Sequence, residues 1–117
     1  MEQLLRGLLE KVPGALAILV NDKDGVLLAQ ASSSFDVDPW LSTTFVNALE
    51  QANKLQLGEP QSITSEFDNA TVVHFNMMPL IVTFCMRPDA NIGLVYAVFP
   101  KLRSCLEPIR IKLESRF

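Results

Sequence analysis

Two short stretches of this sequence are apolar on both alternating sets of positions, and they constrain the fold more than any other feature. They are Ala15–Val20 and Leu80–Cys85. A strand that is apolar on both alternating sets is covered on both of its faces. We therefore predict that these two strands are central in a sheet that has helices on each side.

The first third of the chain predicts a helix followed by a hairpin. Leucines and a valine between Leu4 and Val12 recur with a helical period, and Pro13-Gly14 stops that helix. After Ala15–Val20, the turn cluster Asn21–Gly25 leads into the apolar run Val26–Ala29. Two apolar runs that flank an Asp-Gly turn are typical of a β-hairpin.

The middle of the chain predicts a helix over residues 39–57. Asp38 is suited to cap its N-terminus, and Pro39 fits the first helical position, where its missing N–H costs nothing. Apolar residues at helical spacing follow from Leu41 to Leu55, and Gly58 is expected near the C-cap.

Three strand-like runs come next, with short gaps that favour an antiparallel meander: Ser62–Phe67, Thr71–Asn76 and Leu80–Met86. The first of them alternates, with Ile63, Ser65 and Phe67 on one side and Ser62, Thr64 and Glu66 on the other. That composition predicts an edge strand.

The last segment allows two interpretations. Apolar residues from Leu94 to Leu113 keep a helical period, but Pro100 falls within it and a mid-helix proline removes a backbone hydrogen bond. The alternative is a sixth strand, Gly93–Phe99, with the helix starting at Pro100. The pattern alone does not choose between them.

Composition excludes several classes of protein. The 117 residues suit one domain, residues 1–117, and 49% hydrophobic content is too high for a disordered chain. The net charge of −3 argues against a nucleic-acid partner and gives no basic cluster for anionic lipid. No stretch approaches the ~18 apolar residues of a membrane span, so we expect no direct membrane insertion.

Little catalytic chemistry is present. Asp22 and Asp24-Gly25 resemble part of a calcium loop, but Val20 and Ala31 stand where that loop needs acids. The sequence has no Gly-rich phosphate loop, CxxC or HExxH. His74 and Cys85 could form a base and nucleophile, yet no orienting acid or oxyanion donor accompanies them. We predict no catalytic residue, no cofactor and no metal site.

Two features of the sequence are unusual in combination: the central helix has apolar residues beyond those that its core-facing stripe needs, and the predicted edge strand is mostly polar. The strand Ser62–Phe67 contains neither proline nor lysine, so its backbone is ready to pair. Trp40, Val46 and Leu57 lie outside the main stripe of the central helix. Scattered exposed apolar residues are common, but we interpret strand and helix together as a dimer surface.

Several segments in a fixed order resemble the roadblock/LC7 family, and within it the branch of MEK-partner scaffold subunits in the Ragulator complex. The segments are Asn21–Val26, Leu41–Phe45, Lys54–Gly58, Val72–Asn76 with Pro79-Leu80, and Ala90–Val95. The likeness spans nearly the whole chain.

The resemblance implies an α/β (α+β) fold, with a five-stranded antiparallel sheet, one helix on one face and two on the other. It also implies that the final helix begins near Asn91, with a kink near Pro100. Family members pair through the third strand and the central helix, which makes a ten-stranded sheet across the dimer. Mapped onto this chain, the partner interface comprises Trp40, Thr44, Phe45, Asn47, Ala48, Gln51, Leu55, Ser62, Ile63, Thr64, Ser65, Glu66 and Phe67.

The resemblance further implies a non-catalytic scaffold that forms a heterodimer with a second roadblock subunit. A lipid-anchored Ragulator subunit then holds the pair on the cytoplasmic face of late endosomes and lysosomes. MEK/ERK kinases and Rag GTPases, in nutrient signalling to the TOR kinase, are the implied downstream partners. The alternatives are a homodimeric regulator of a small GTPase and, from another class, a small enzyme or sensor that uses His74.

Overall fold

The computed structural model describes residues 1–33, 41–58 and 60–115, and for residues 41–46 it describes the backbone alone. This part of the chain contains eight elements in the predicted order α-β-β-α-β-β-β-α. They are α1 (Glu2–Lys11), β1 (Ala15–Asp22), β2 (Leu27–Ser32), α2 (Leu41–Asn53), β3 (Ser62–Glu66), β4 (Thr71–Met77), β5 (Leu80–Met86) and α3 (Ile92–Glu114).

The five strands form one antiparallel sheet in the order β2-β1-β5-β4-β3. β5 is the middle strand and β1 lies beside it, so the prediction that the two apolar runs are central is confirmed. Ile18 in β1 pairs with Phe84 in β5, and both are fully buried. β2 and β3 are the two outer strands, as the alternation of Ser62–Phe67 predicted for β3.

Helices cover both faces of the sheet. α1 and α3 pack on one face, where the larger of two buried clusters includes Leu5, Val82, Phe84 and Leu102. On the other face α2 lies against β5, over a smaller cluster of Ala17, Leu19, Val72 and Cys85. The fold is therefore the predicted sheet with two helices on one face and one on the other.

The central helix ends earlier than predicted. α2 stops at Asn53, and the chain continues through turns whose N–H groups bond three residues back, as in Leu55 N–H to the Ala52 carbonyl at 3.1 Å. Gln56 and Gly58 then adopt left-handed backbone, with φ of 57° and 94°. The prediction of a C-cap at Gly58 is wrong because the tight turn ends the helix first. Asp38 and Pro39 lie outside the described residues.

The last segment is one helix, so the alternative strand Gly93–Phe99 is wrong. The Asn91 side chain caps α3 by accepting the Gly93 N–H at 2.9 Å. The helix runs through Pro100 and Pro108, each of which removes a backbone donor. Val95, Phe99, Leu102 and Leu106 are buried at helical spacing, and this burial offsets the cost of the two prolines.

Candidate partner-binding edge

β3 is the margin of the sheet that sequence analysis selected. All five of its residues pair with β4 in unbroken register, from Ser62 opposite Phe75 to Glu66 opposite Thr71. Among the described residues, no strand pairs with its outer side. Phe67 lies just beyond the strand rather than in it, although its N–H still bonds the Ala70 carbonyl at 2.8 Å.

The hydrogen-bond pattern shows which backbone groups point away from β4. The Asn76 N–H donates to the Gln61 carbonyl at 2.9 Å, and the Phe67 N–H donates to Ala70. In an antiparallel ladder, bonded and non-bonded pairs alternate along the strand. The N–H and C=O groups of Ser62, Thr64 and Glu66 therefore point out of the sheet, where an added strand would pair.

The side chains of β3 confirm the predicted alternation. Ser62 and Thr64 lie on the α3 face, and their hydroxyls are each 3.2 Å from the Tyr96 Oη. Ile63 and Ser65 lie on the α2 face, opposite His74 and Val72 of β4.

The predicted helix residues are only partly placed by the structure. Asn47 and Gln51 are exposed and Ala48 is half-buried. Asn47 and Ala48 each precede Gln51 by about one helical turn, so each neighbours it on the surface of α2. Leu55 lies in the turn after α2 and is 66% exposed. Trp40 lies outside the described residues, as do the side chains of Thr44 and Phe45.

Sequence reasoning missed Tyr96 and Arg103 of α3, which line a groove of about 360 Å³ beside Ser62. They are seven residues apart, two helical turns, and this spacing was the only signal in the sequence. The sequence left strand and helix open for Gly93–Phe99, and only a helix places the Tyr96 and Arg103 side chains on one side. The spacing could therefore not be interpreted from the sequence.

Two buried polar side chains behind β3, those of His74 and Thr83, are joined by a hydrogen bond. His74 and Cys85 lie on the same sheet face, but the His74 Nδ1 is 2.9 Å from the Thr83 Oγ1. Burial lowers the pKa of His74 to about 4, so the imidazole is neutral at pH 7. Burial also raises the pKa of the Cys85 thiol, which keeps it protonated and unreactive.

The part of the chain that the structure describes lacks two other features. It contains no group of three or more His, Cys, Asp or Glu side chains that could hold a metal ion. None of its helices has the length and apolar content needed to cross a membrane.

Comparison with known proteins gives a family match over almost the entire chain. Residues 1–113 match the family described as "Mitogen-activated protein kinase kinase 1 interacting". A Drosophila melanogaster relative, "Ragulator complex protein LAMTOR3 homolog", is 38% identical over 114 residues, which cover 94% of this chain and 92% of the relative. A Homo sapiens relative, "Ragulator complex protein LAMTOR3", is 32% identical over 120 residues and 97% of each chain.

Solved structures support the fold. A roadblock/LC7 domain from Streptomyces avermitilis superposes with a TM-score of 0.81 and covers 95% of this chain and 98% of that domain, at 13% identity. The fold predicted from the resemblance is thus confirmed as the roadblock/LC7 fold.

Proposed function

Because this chain belongs to the mitogen-activated protein kinase kinase 1 interacting family, we propose that it is a non-catalytic scaffold subunit of a Ragulator complex. Its relatives carry the name of that complex, and this chain matches them over nearly their full length. The feature that carries the proposal is the outer side of β3, where three residues point backbone groups away from the sheet and no described strand pairs with them.

The mode of assembly follows from that edge. A second roadblock subunit adds its own outer strand to β3, and backbone hydrogen bonds join the two sheets into one. Side chains on or next to α2 then provide selectivity. The described candidates are Asn47, Ala48, Gln51 and Leu55, and the others are Trp40, Thr44 and Phe45. On the α3 face, the Tyr96 hydroxyl contacts with Ser62 and Thr64 join β3 to the helix.

Location and signalling are the finer part of the proposal. We expect a lipid-anchored Ragulator subunit to hold the pair on late endosomes and lysosomes, as the Ragulator names of the relatives suggest. The family description supports contact with a MAP kinase kinase, and the Ragulator name of the relatives supports a role beside Rag GTPases. The second candidate, a homodimeric regulator of a small GTPase, uses the same edge with a second copy of this chain.

The experiment tests the edge with one proline. Thr64→Pro removes an outward N–H while leaving the bonds between β3 and β4 intact, since Thr64 belongs to a non-bonded pair. We expect binding to the purified second roadblock subunit of Ragulator to weaken by a factor of ten or more, because a backbone hydrogen bond is lost and the incoming strand meets the proline ring. Isothermal titration calorimetry measures the dissociation constant.

Two variants control this experiment. Thr64→Val keeps the N–H and loses only the hydroxyl, so it should bind nearly as the parent does. Gln30→Pro removes an outward N–H from β2 at the opposite edge, where the Ser33 N–H to Leu16 carbonyl bond of 3.0 Å sets the same alternation. Equal weakening by Gln30→Pro and Thr64→Pro would contradict pairing through β3, and a stable homodimer by light scattering would favour the second candidate.

A further inference from the structure

A groove opens on the α3 side of β3, directly beside the backbone that an added strand would use. Its volume is about 360 Å³, with Ser62 on the strand side and Phe75, Tyr96 and Phe99 among its aromatic walls. Arg103 stands on α3 along the same groove. The groove therefore combines apolar walls with one cation at the margin of the sheet.

The apolar walls are held in place before any partner arrives. The Phe75 and Phe99 rings stack with their centroids 3.7 Å apart, and the Tyr96 ring meets Phe75 edge-on at 5.4 Å. The Tyr96 Oη is also 3.2 Å from the hydroxyls of Ser62 and Thr64. These contacts join α3 to β3, so a side chain that enters the groove meets a preformed wall.

Among the described residues that line the groove, Arg103 is the only charged one. One helical turn further along, Glu107 is engaged by Arg110, whose Nε donates to the Glu107 Oε1 at 2.9 Å. Within the described part of the chain, no carboxylate lies within ion-pair distance of the Arg103 guanidinium. The Arg110 hydrogen bond, and to a smaller extent the charge of Arg103, lower the pKa of Glu107. Arg103 makes no ion pair with that carboxylate, and its exposed guanidinium can still meet an incoming group.

Strand addition determines what reaches the groove. A strand that pairs with the outward groups of Ser62 and Thr64 sends every second side chain to the α3 face. Cross-strand neighbours on one face are about 4.5–5.5 Å apart between their Cβ atoms. A partner side chain opposite Ser62 therefore stands over the groove.

We propose that this groove receives an acidic side chain from the partner's paired strand, with Arg103 as its counter-charge. The inference rests on the proposed function and specifies the chemistry of the partner at that edge. A guanidinium binds a carboxylate with directed, charge-assisted hydrogen bonds, and the aromatic walls suit the methylene stem of such a side chain. A lysine or arginine in the same place would be repelled by Arg103.

Charge reversal tests the proposal. With the purified second roadblock subunit of Ragulator, we expect Arg103→Glu to raise the dissociation constant by about tenfold at low salt, and Arg103→Gln by about threefold. The ratio to the parent should shrink as salt rises. Lys101→Glu is the matched control: Lys101 is also exposed but lies on the opposite side of α3, two residues away.

A charge swap identifies the acid. Each Asp or Glu on the third strand of that partner is changed in turn to Lys, and one such change should restore affinity for Arg103→Glu. The inference is overturned if Arg103→Glu weakens binding no more than Lys101→Glu does, or if no swap restores it. Thr64→Pro keeps the two proposals separate: if it weakens binding while Arg103→Glu does not, pairing through β3 stands and the acidic contact is wrong.

Discussion

The two outer strands of the sheet differ in a way that their composition does not suggest. Three consecutive apolar residues are exposed at the start of β2: Val26 just before the strand, and Leu27 and Leu28 within it. β3 instead carries mostly hydroxyl and acidic side chains. Apolar content alone would favour β2 as the partner-binding edge of the sheet. The backbone favours β3 instead.

Regularity explains the difference. The pairing of β2 with β1 shifts register between Val20 and Asn21, and such a bulge twists an edge and interrupts its line of donors and acceptors. β3 has five consecutive pairs with β4 and no shift. Strand addition uses backbone groups at a fixed spacing, so a regular edge accepts another strand more readily than an apolar, bulged one.

We expect the side chains that pack behind β3 to stabilise the fold more than those behind β2. Truncation of Phe75 tests this, with the largest expected change in the free energy of unfolding. Phe75 lies opposite Ser62 and contacts three aromatic rings, those of Phe84, Tyr96 and Phe99. We expect Phe75→Ala to lower the free energy of unfolding by about 3–5 kcal/mol. Urea denaturation measures it.

Leu28→Ala is the comparison at the β2 edge. Because Leu28 is 39% exposed, its truncation should cost less than about 1 kcal/mol. Equal losses in the two variants would show that the aromatic cluster gives β3 no special support.

The pH dependence of stability tests the α2 face behind β3, where His74 pairs with Ile63. Burial lowers the folded pKa of His74 to about 4, below its ordinary value of 6.5, so the unfolded chain binds the extra proton first as the pH falls. The stabilising contribution is complete above pH 6.5 and is lost as the pH falls toward 4. The free energy of unfolding should drop by roughly 2–3 kcal/mol across that window.

The control for this measurement is His74→Gln. His74 is the only histidine in the sequence, so the difference between the two pH profiles isolates its titration from that of the carboxylates. Parallel profiles between pH 6.5 and 4 would contradict the assignment of a neutral, buried imidazole.

The smallest expected effect concerns the hydroxyl contact that links α3 to β3. Tyr96→Phe keeps the ring against Phe75 but removes both hydrogen bonds, and since Tyr96 is 43% exposed the loss should stay below about 1 kcal/mol. Hydrogen exchange should quicken at the Ile63 and Ser65 amides, which bond to β4. Amides of β2 serve as the internal reference, and faster exchange there to the same degree would mean that the hydroxyl supports the whole sheet rather than this edge.

Much of the fold could be predicted because local signals agreed with the global arrangement. The alternation of Ser62–Phe67 identified an edge strand, and the doubly apolar runs identified the central ones. The helix ends were less predictable. α2 stops at Asn53 because a tight turn competes with helical continuation, whereas the position of Gly58 predicted a later end. The course of the last segment was ambiguous because two prolines opposed a helical period.

By itself, the sequence determined which strands are central, which face of β3 each side chain takes, and the family to which the chain belongs. Periodicity carries this information because burial on one face or two is recorded residue by residue. Only the tertiary structure decided that α3 continues through Pro100, brings Tyr96 against the outer strand and places Phe99 and Arg103 along the groove beside it. That contact joins residues more than thirty positions apart, and its stability comes from packed rings and hydroxyls that no local pattern records.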